Sequence, residues 1–171
     1  MVSVPAQLPV VGLVVAVCVA MATLGTLLAG DGLRTWYPAL NKPWFQIPLP
    51  LFVAVGIVGY IMDGIILYRL LAVVAAGPAR TLALVAVLVM MLYNELWNGA
   101  FFRLRSTWVG FLGIVVFLGP LLAAQAALAA TDGPAAWLLS AYVVWVFVYD
   151  LPWAYALWRL NGRRRPPTIG R

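Results

Sequence analysis

Three carboxyls sit in unusual places. Asp63, Glu95 and Asp150 each interrupt a long apolar run. A charge at the centre of a bilayer costs about 2.5–3.5 kcal/mol on an insertion scale, so such groups usually face a bundle interior and mark function. Glu95 and Asp150 lie at matching depths, roughly 12–14 Å from the ends of their runs at about 1.5 Å per residue. Asp63 lies nearer the middle of its run, and no Lys or Arg matches these depths. Two carboxyls close together in low dielectric do not readily both ionise, so one proton is expected to be shared or retained between Glu95 and Asp150. Two chemistries follow. The acids are polar glue, hydrogen-bonded to Tyr, Trp and Asn side chains. Alternatively Glu95, Asp150 and Asp63 are catalytic acids that protonate an apolar olefin or epoxide, with ring faces stabilising the cation.

The residues around the acids are arranged by helical period. Asn94, Glu95, Asn98, Phe101 and Phe102 share about half the circumference of one helix, with Trp97 beside them. Tyr142, Trp145, Tyr149 and Trp153 follow an i, i+3, i+7, i+11 ladder with Asp150 at its edge. Gly56, Tyr60, Asp63, Gly64 and Leu67 share a face of a third helix. An aromatic stripe alone is usually core; stripe, amides and carboxyls at one depth point towards a pocket. Pro152 removes an amide and leaves the carbonyl of Val148 without its helical partner, beside Asp150. The chain has no histidine, which excludes a His general base, a His haem ligand and a His/carboxylate metal site. No Gly-rich phosphate loop opens a helix. No cofactor is required by these residues. A tetrapyrrole, if bound, is expected to be metal-free or unligated and held by stacking.

The elements that position these residues are membrane helices. The 171 residues are 65% hydrophobic and 9% charged, with a mean hydropathy of +1.00. Soluble domains are about 45–50% apolar and about 25% charged. Lipid must therefore be part of the solvent, and helix is the fitting form for each apolar run. The spacing predicts an all-α integral membrane protein with a single transmembrane domain over 1–171. Its five helices are placed near 8–29, 51–71, 81–102, 107–130 and 134–158, with Pro134 in the first turn of the fifth. Gly12, Ala16 and Ala20 put small residues on one face of the first helix, which suits close helix contact. Arg34, Lys42, Arg103, Arg105, Arg159, Arg163, Arg164, Arg165 and Arg171 collect on one side, and Arg69 and Arg80 on the other. By the positive-inside rule the C-terminus and the first loop are cytoplasmic, with 159–171 a basic tail. The net charge of +6 is then a topology signal. The tail can touch anionic lipid headgroups, and nothing else supports nucleic-acid binding.

The first loop carries more than a turn needs. It contains WYPALNKPWF, from Trp36 to Phe45, and is stiffened by Pro38, Pro43, Pro48 and Pro50. An interfacial aromatic belt explains single aromatics at helix ends. A long ordered loop reads better as a lid, here over the mouth of the bundle, with Trp36, Tyr37, Lys42, Pro43 and Trp44 against the ligand.

These motifs resemble the tryptophan-rich sensory protein (TspO/MBR) family, whose animal member is the translocator protein. WYPALNKPWF matches the family's W-Y-x-x-L-x-K-P-x-[WF]. Asn94 to Phe102, NELWNGAFF, is similar to its N-x-x-W-x-x-x-F-F. Tyr142 to Trp145 and Tyr155 to Arg159 match its Y-x-x-W and Y-x-x-W-R. The family's usual ring near Gly56 is missing, Ala141 and Ala154 replace an expected Pro and Asn, and Asp63 and Asp150 are not family residues. The resemblance implies a five-helix bundle, often a homodimer, with a pocket in the cytoplasmic half under the first loop. It implies porphyrin, sterol or aromatic ligands, held by Trp36, Tyr37, Lys42, Pro43, Trp44, Tyr60, Asn94, Trp97, Asn98, Phe101, Tyr142, Trp145, Tyr149 and Trp153. Leu151, Tyr155 and Arg159 fit a proposed sterol pattern, which also arises at any amphiphilic helix end. The expected function is a receptor or carrier for a flat hydrophobic ligand: tetrapyrrole, sterol or isoprenoid. The alternative is a terpenoid cyclase-like enzyme or one that breaks down porphyrin. A transporter comes third, because no internal repeat is visible.

Overall fold

The structure, a computed structural model, describes residues 4–162. The run Arg163–Arg165 and Arg171, assigned above to the basic tail, lie outside the described residues. Among the described residues there is no strand, and five helices are long and apolar enough to cross a membrane. The first span is α1 (Val4–Ala29). A loop follows, containing the short helix α2 (Gly32–Thr35) and a 3-10 turn at Tyr37–Ala39. The second span is α3 (Leu49–Ala72) and the third begins with α4 (Pro78–Asn98). The fourth is α5 (Thr107–Ala129), and the fifth is built from α6 (Gly133–Trp145) and α7 (Leu151–Asn161).

Local sequence explains the ends. Pro50, Pro78 and Pro134 occupy the first turns of their helices, where the missing amide has no partner to lose. Ser106 caps α5 by accepting the Val109 amide through its hydroxyl at 3.3 Å. Two spans depart from regular α-helix. Gly99–Arg103 widens the end of the third span into a π-turn, and Val146–Asp150 does so inside the fifth. In the second case the Leu151 amide reaches back to the Val146 carbonyl. Pro152 follows at once and cannot donate to Val148, so the wider turn absorbs the missing bond.

The spans close into a ring. α1 packs between α3 and α4, α4 against α5, α5 against α6 and α7, and α6 returns to α3. The loop, Arg103, Arg105 and the end of α7 share one end of the bundle. The other end holds Arg69, whose guanidinium grips Asp132 bidentately at 2.7 and 2.9 Å. The face of α1 carrying Gly12, Ala16 and Ala20 is exposed, contrary to the expected close packing. α1 instead turns Val14 and Gly25 inward, because Gly25 leaves room for the buried Glu95 side chain. A β-carbon at Gly25 would collide with Glu95 Oε2.

Candidate functional site

A cavity of about 170 Å³ lies in the half of the bundle nearer the loop. α3 contributes Phe52, Gly56, Tyr60 and Asp63; α4 contributes Asn94, Trp97 and Asn98; Tyr142, Trp145, Asp150 and Trp153 come from the fifth span. The period-based faces read from the sequence explain this convergence. The π-turn at Val146–Asp150 shifts the register of the fifth span, so that Trp145, Asp150 and Trp153 line the cavity while Tyr149 does not.

The polar groups form two sets. Glu95, 1% exposed, accepts from Tyr60 Oη at 2.6 Å, from Asn98 Nδ2 at 3.1 Å and from Asn94 Nδ2 at 3.4 Å. Tyr142 Oη donates to Asn94 Oδ1 at 3.4 Å. This network ties α3, α4 and α6 together. On the cavity wall, Asp150 Oδ1 accepts the Trp145 indole N–H at 3.0 Å. Asp63 also lines the cavity and has no hydrogen-bond or ion-pair partner among the described residues. The expected sharing of one site by Glu95 and Asp150 is therefore corrected. Tyr60 and the gap at Gly25 draw Glu95 to the junction of α1, α3 and α4, outside the cavity lining, while Asp63 and Asp150 both line the wall.

The rings are held firmly. Trp97 donates to the Gly110 carbonyl at 2.9 Å and stacks on Phe101 at 5.2 Å between centroids. Gly110 permits this approach, since a β-carbon there would strike the Phe101 ring. Phe101 does not line the cavity; it is core, 1% exposed, beneath Trp36 and Tyr37.

The loop covers this end differently from the expected lid. Trp44 is 95% exposed, and with Lys42 and Pro43 it borders a surface groove shared with Tyr155 and Arg159. Leu151 is not part of that groove. The Lys42 ammonium donates to the carbonyls of Tyr37, Pro38 and Leu40 at 2.9, 3.2 and 3.3 Å and lies 4.7 Å from the Tyr37 ring centre. It fastens the loop to itself. Trp36 and Tyr37 pack edge-on against Phe101. None of these five loop residues lines the cavity.

The cover comes from a residue the sequence reading passed over. Gln46 Oε1 accepts the Trp153 indole N–H at 2.5 Å and the Tyr37 hydroxyl at 3.3 Å. The Ile47 amide donates to Tyr149 Oη at 3.0 Å. Asn41 and Asn161 exchange two bonds of 2.9 Å, tying the loop to the end of α7. Nothing in the spacing of Gln46 set it apart from the loop's other polar residues, Asn41 and Lys42 among them. Burial first, then the nearby Tyr149, pushes the Tyr37 phenol up to about 12, against the opposing bond to Gln46. At the loop's start the Arg105 guanidinium, by hydrogen bonding and then by charge, holds the Asp31 carboxyl below the usual range.

A larger groove, about 490 Å³, runs between α1 and α3 on the lipid-facing side. Val11, Val14, Cys18, Ile57, Ile61 and Ile65 are among its walls, and Tyr60 separates it from the central cavity. The smaller cavity is the better site, because it combines rings with convergent polar groups. It is near the size of an engineered cavity of about 150 Å³ that holds benzene. A tetrapyrrole macrocycle is larger than this volume.

Comparison with known proteins agrees with the geometry. The TspO/MBR family model matches residues 14–159. The chain is also similar to the tryptophan-rich protein TspO of Chlorobaculum tepidum. The two are 26% identical over 140 residues, which cover 82% of this chain and 89% of the relative.

Proposed function

Because the chain belongs to the TspO/MBR family, we propose that it is a membrane receptor or carrier that takes a hydrophobic small molecule into the central cavity. The observation that carries this reading is that Trp97, Trp145 and Trp153 line one cavity together with Asn94, Asn98, Asp63 and Asp150. Apolar walls bind, and a few placed polar groups orient. The Gln46 strap closes the loop end, so ligand exchange there requires the loop to lift. A tetrapyrrole, a sterol or a long isoprenoid would need that opening; a single-ring ligand would not.

Acid catalysis is less well supported. It was expected to use Glu95, Asp150 or Asp63; Glu95 is committed to Tyr60 and Asn98, and Asp150 accepts from the Trp145 indole. The basic residues at the loop end favour an orientation with the loop in the cytoplasm.

The test is saturation binding by the full chain in nanodiscs, with protoporphyrin IX, cholesterol and geranylgeraniol as separate probes, against Gly56→Leu. A β-carbon at Gly56 meets nothing within 4 Å, so Leu enters open cavity space. Saturable one-to-one binding that Gly56→Leu weakens supports the reading. Binding that Gly56→Leu leaves unchanged places the ligand elsewhere and overturns it.

A further inference from the structure

The cavity's charge and size say more about its ligand than the family does. Its walls carry two carboxyls, Asp63 and Asp150, and neither Lys nor Arg. The amides are occupied: Asn98 is bound to Glu95, and Asn94 lies between Glu95 and Tyr142. What remains unmet is acceptor capacity. Asp63, half-buried, makes no bond among the described residues, and Asp150, also half-buried, uses one oxygen, on Trp145. A site with spare acceptors calls for a ligand that donates. Carboxylates partly withdrawn from water and without a counter-charge favour a positive ligand, because partly desolvated charge is better tolerated when paired. The remaining wall is aromatic: Phe52, Tyr60, Trp97, Tyr142, Trp145 and Trp153. Ring faces attract cations, Trp most strongly, and more so away from water. A volume of about 170 Å³ admits one ring with a short side chain. A tetrapyrrole bearing carboxylates is opposed on both size and sign.

We propose that this cavity binds a compact hydrophobic amine as its ammonium ion, with the ring among Trp97, Trp145 and Trp153 and the ammonium at Asp63 and Asp150. The proposal rests on the receptor reading and narrows it to a ligand class. Tyr60 and the network behind it hold the wall in place. Asp63 and Asp150, which depart from the family pattern, are the groups that set the preference for positive charge.

The experiment compares three probes that share a ring and a two-carbon arm. They are 2-phenylethylammonium, 2-phenylethanol and phenylacetate, titrated calorimetrically at neutral pH into the full chain in nanodiscs of zwitterionic lipid. The ammonium is expected to bind at least about tenfold more tightly than the alcohol, with the anion weakest. Asp63→Asn and Asp150→Asn are each expected to weaken the ammonium more than the alcohol and so to remove most of that preference. Equal affinity for ammonium and alcohol, or tighter binding of the anion, overturns the amine assignment and leaves the receptor reading intact. Failure of all three probes to bind, with Gly56→Leu also without effect on the larger probes, overturns both. The wild-type series decides the matter even where an Asn variant folds poorly.

Discussion

Replacing Gln46 with Ala tests what holds the loop on the bundle. Gln46 Oε1 is the acceptor for two donors, the indole N–H of Trp153 and the hydroxyl of Tyr37. Trp153 is 1% exposed and Tyr37 is 5% exposed, so water does not readily replace the lost acceptor. A buried donor left unsatisfied costs about 1–3 kcal/mol. With the Tyr37 bond long at 3.3 Å, the two together come to about 2–4 kcal/mol. For a chain of this size each kcal/mol moves Tm by about 2–4 °C, giving a fall of about 4–16 °C. Thermal unfolding in detergent, followed by circular dichroism, reads it. Trp44→Ala is the control: at 95% exposure it should cost no more than about 0.5 kcal/mol. A double-mutant cycle with Trp153→Phe should return a coupling of about 1 kcal/mol or more. A Gln46→Ala shift no larger than that of Trp44→Ala, with no coupling, refutes the strap.

Four further outcomes are expected. Gly56→Leu should raise helix stability by about 1 kcal/mol and weaken cavity ligands at least about tenfold, read by Tm and titration together. Asp132→Asn breaks the grip on Arg69 and should cost about 1–3 kcal/mol, discounted because Arg69 is 29% exposed; the check is again Tm. Tyr37 keeps its proton in the folded state up to about 12, against 10.0 for an unperturbed phenol. Stability should therefore decline as pH rises from about 10 through about 12, and the ultraviolet difference titration between the wild type and Tyr37→Phe should centre near the upper value. In a Cys18→Ala background, single cysteines after Arg165 and at Thr131 should label from opposite sides of the membrane; labelling from one side contradicts five spans.

The fold was legible because a bilayer leaves few choices. Apolar runs of spanning length must be helices, and Pro and Gly mark their ends, so the expected spans differ from the observed ones by a few residues. The third and fifth spans show where periodicity stops helping. A regular helix puts Tyr149 on the stripe with Trp145 and Trp153, but the π-turn at Val146–Asp150 turns it towards Ile47. Pro152 was the sequence signal, and it gives a place for the irregularity without its form. Tyr60, Asp63, Asn94, Asn98, Trp145 and Asp150 could be placed by depth and face. Glu95 could not, since its direction is decided by the absent side chain of Gly25 on another helix. The loop was read by its aromatic residues. In the structure its grip depends on Gln46, Asn41 and Lys42, whose roles come from contacts with α7 and from the loop's own carbonyls.

The central claim is that ligand enters the cavity between α3, α4 and the fifth span. The most direct measurement is a crystal structure of the full chain with 2-(4-bromophenyl)ethylammonium, located by the anomalous signal of bromine. The account predicts a single strong peak enclosed by Trp97, Trp145 and Trp153. A peak in the lipid-facing groove of α1 and α3, with the central cavity empty, would contradict it.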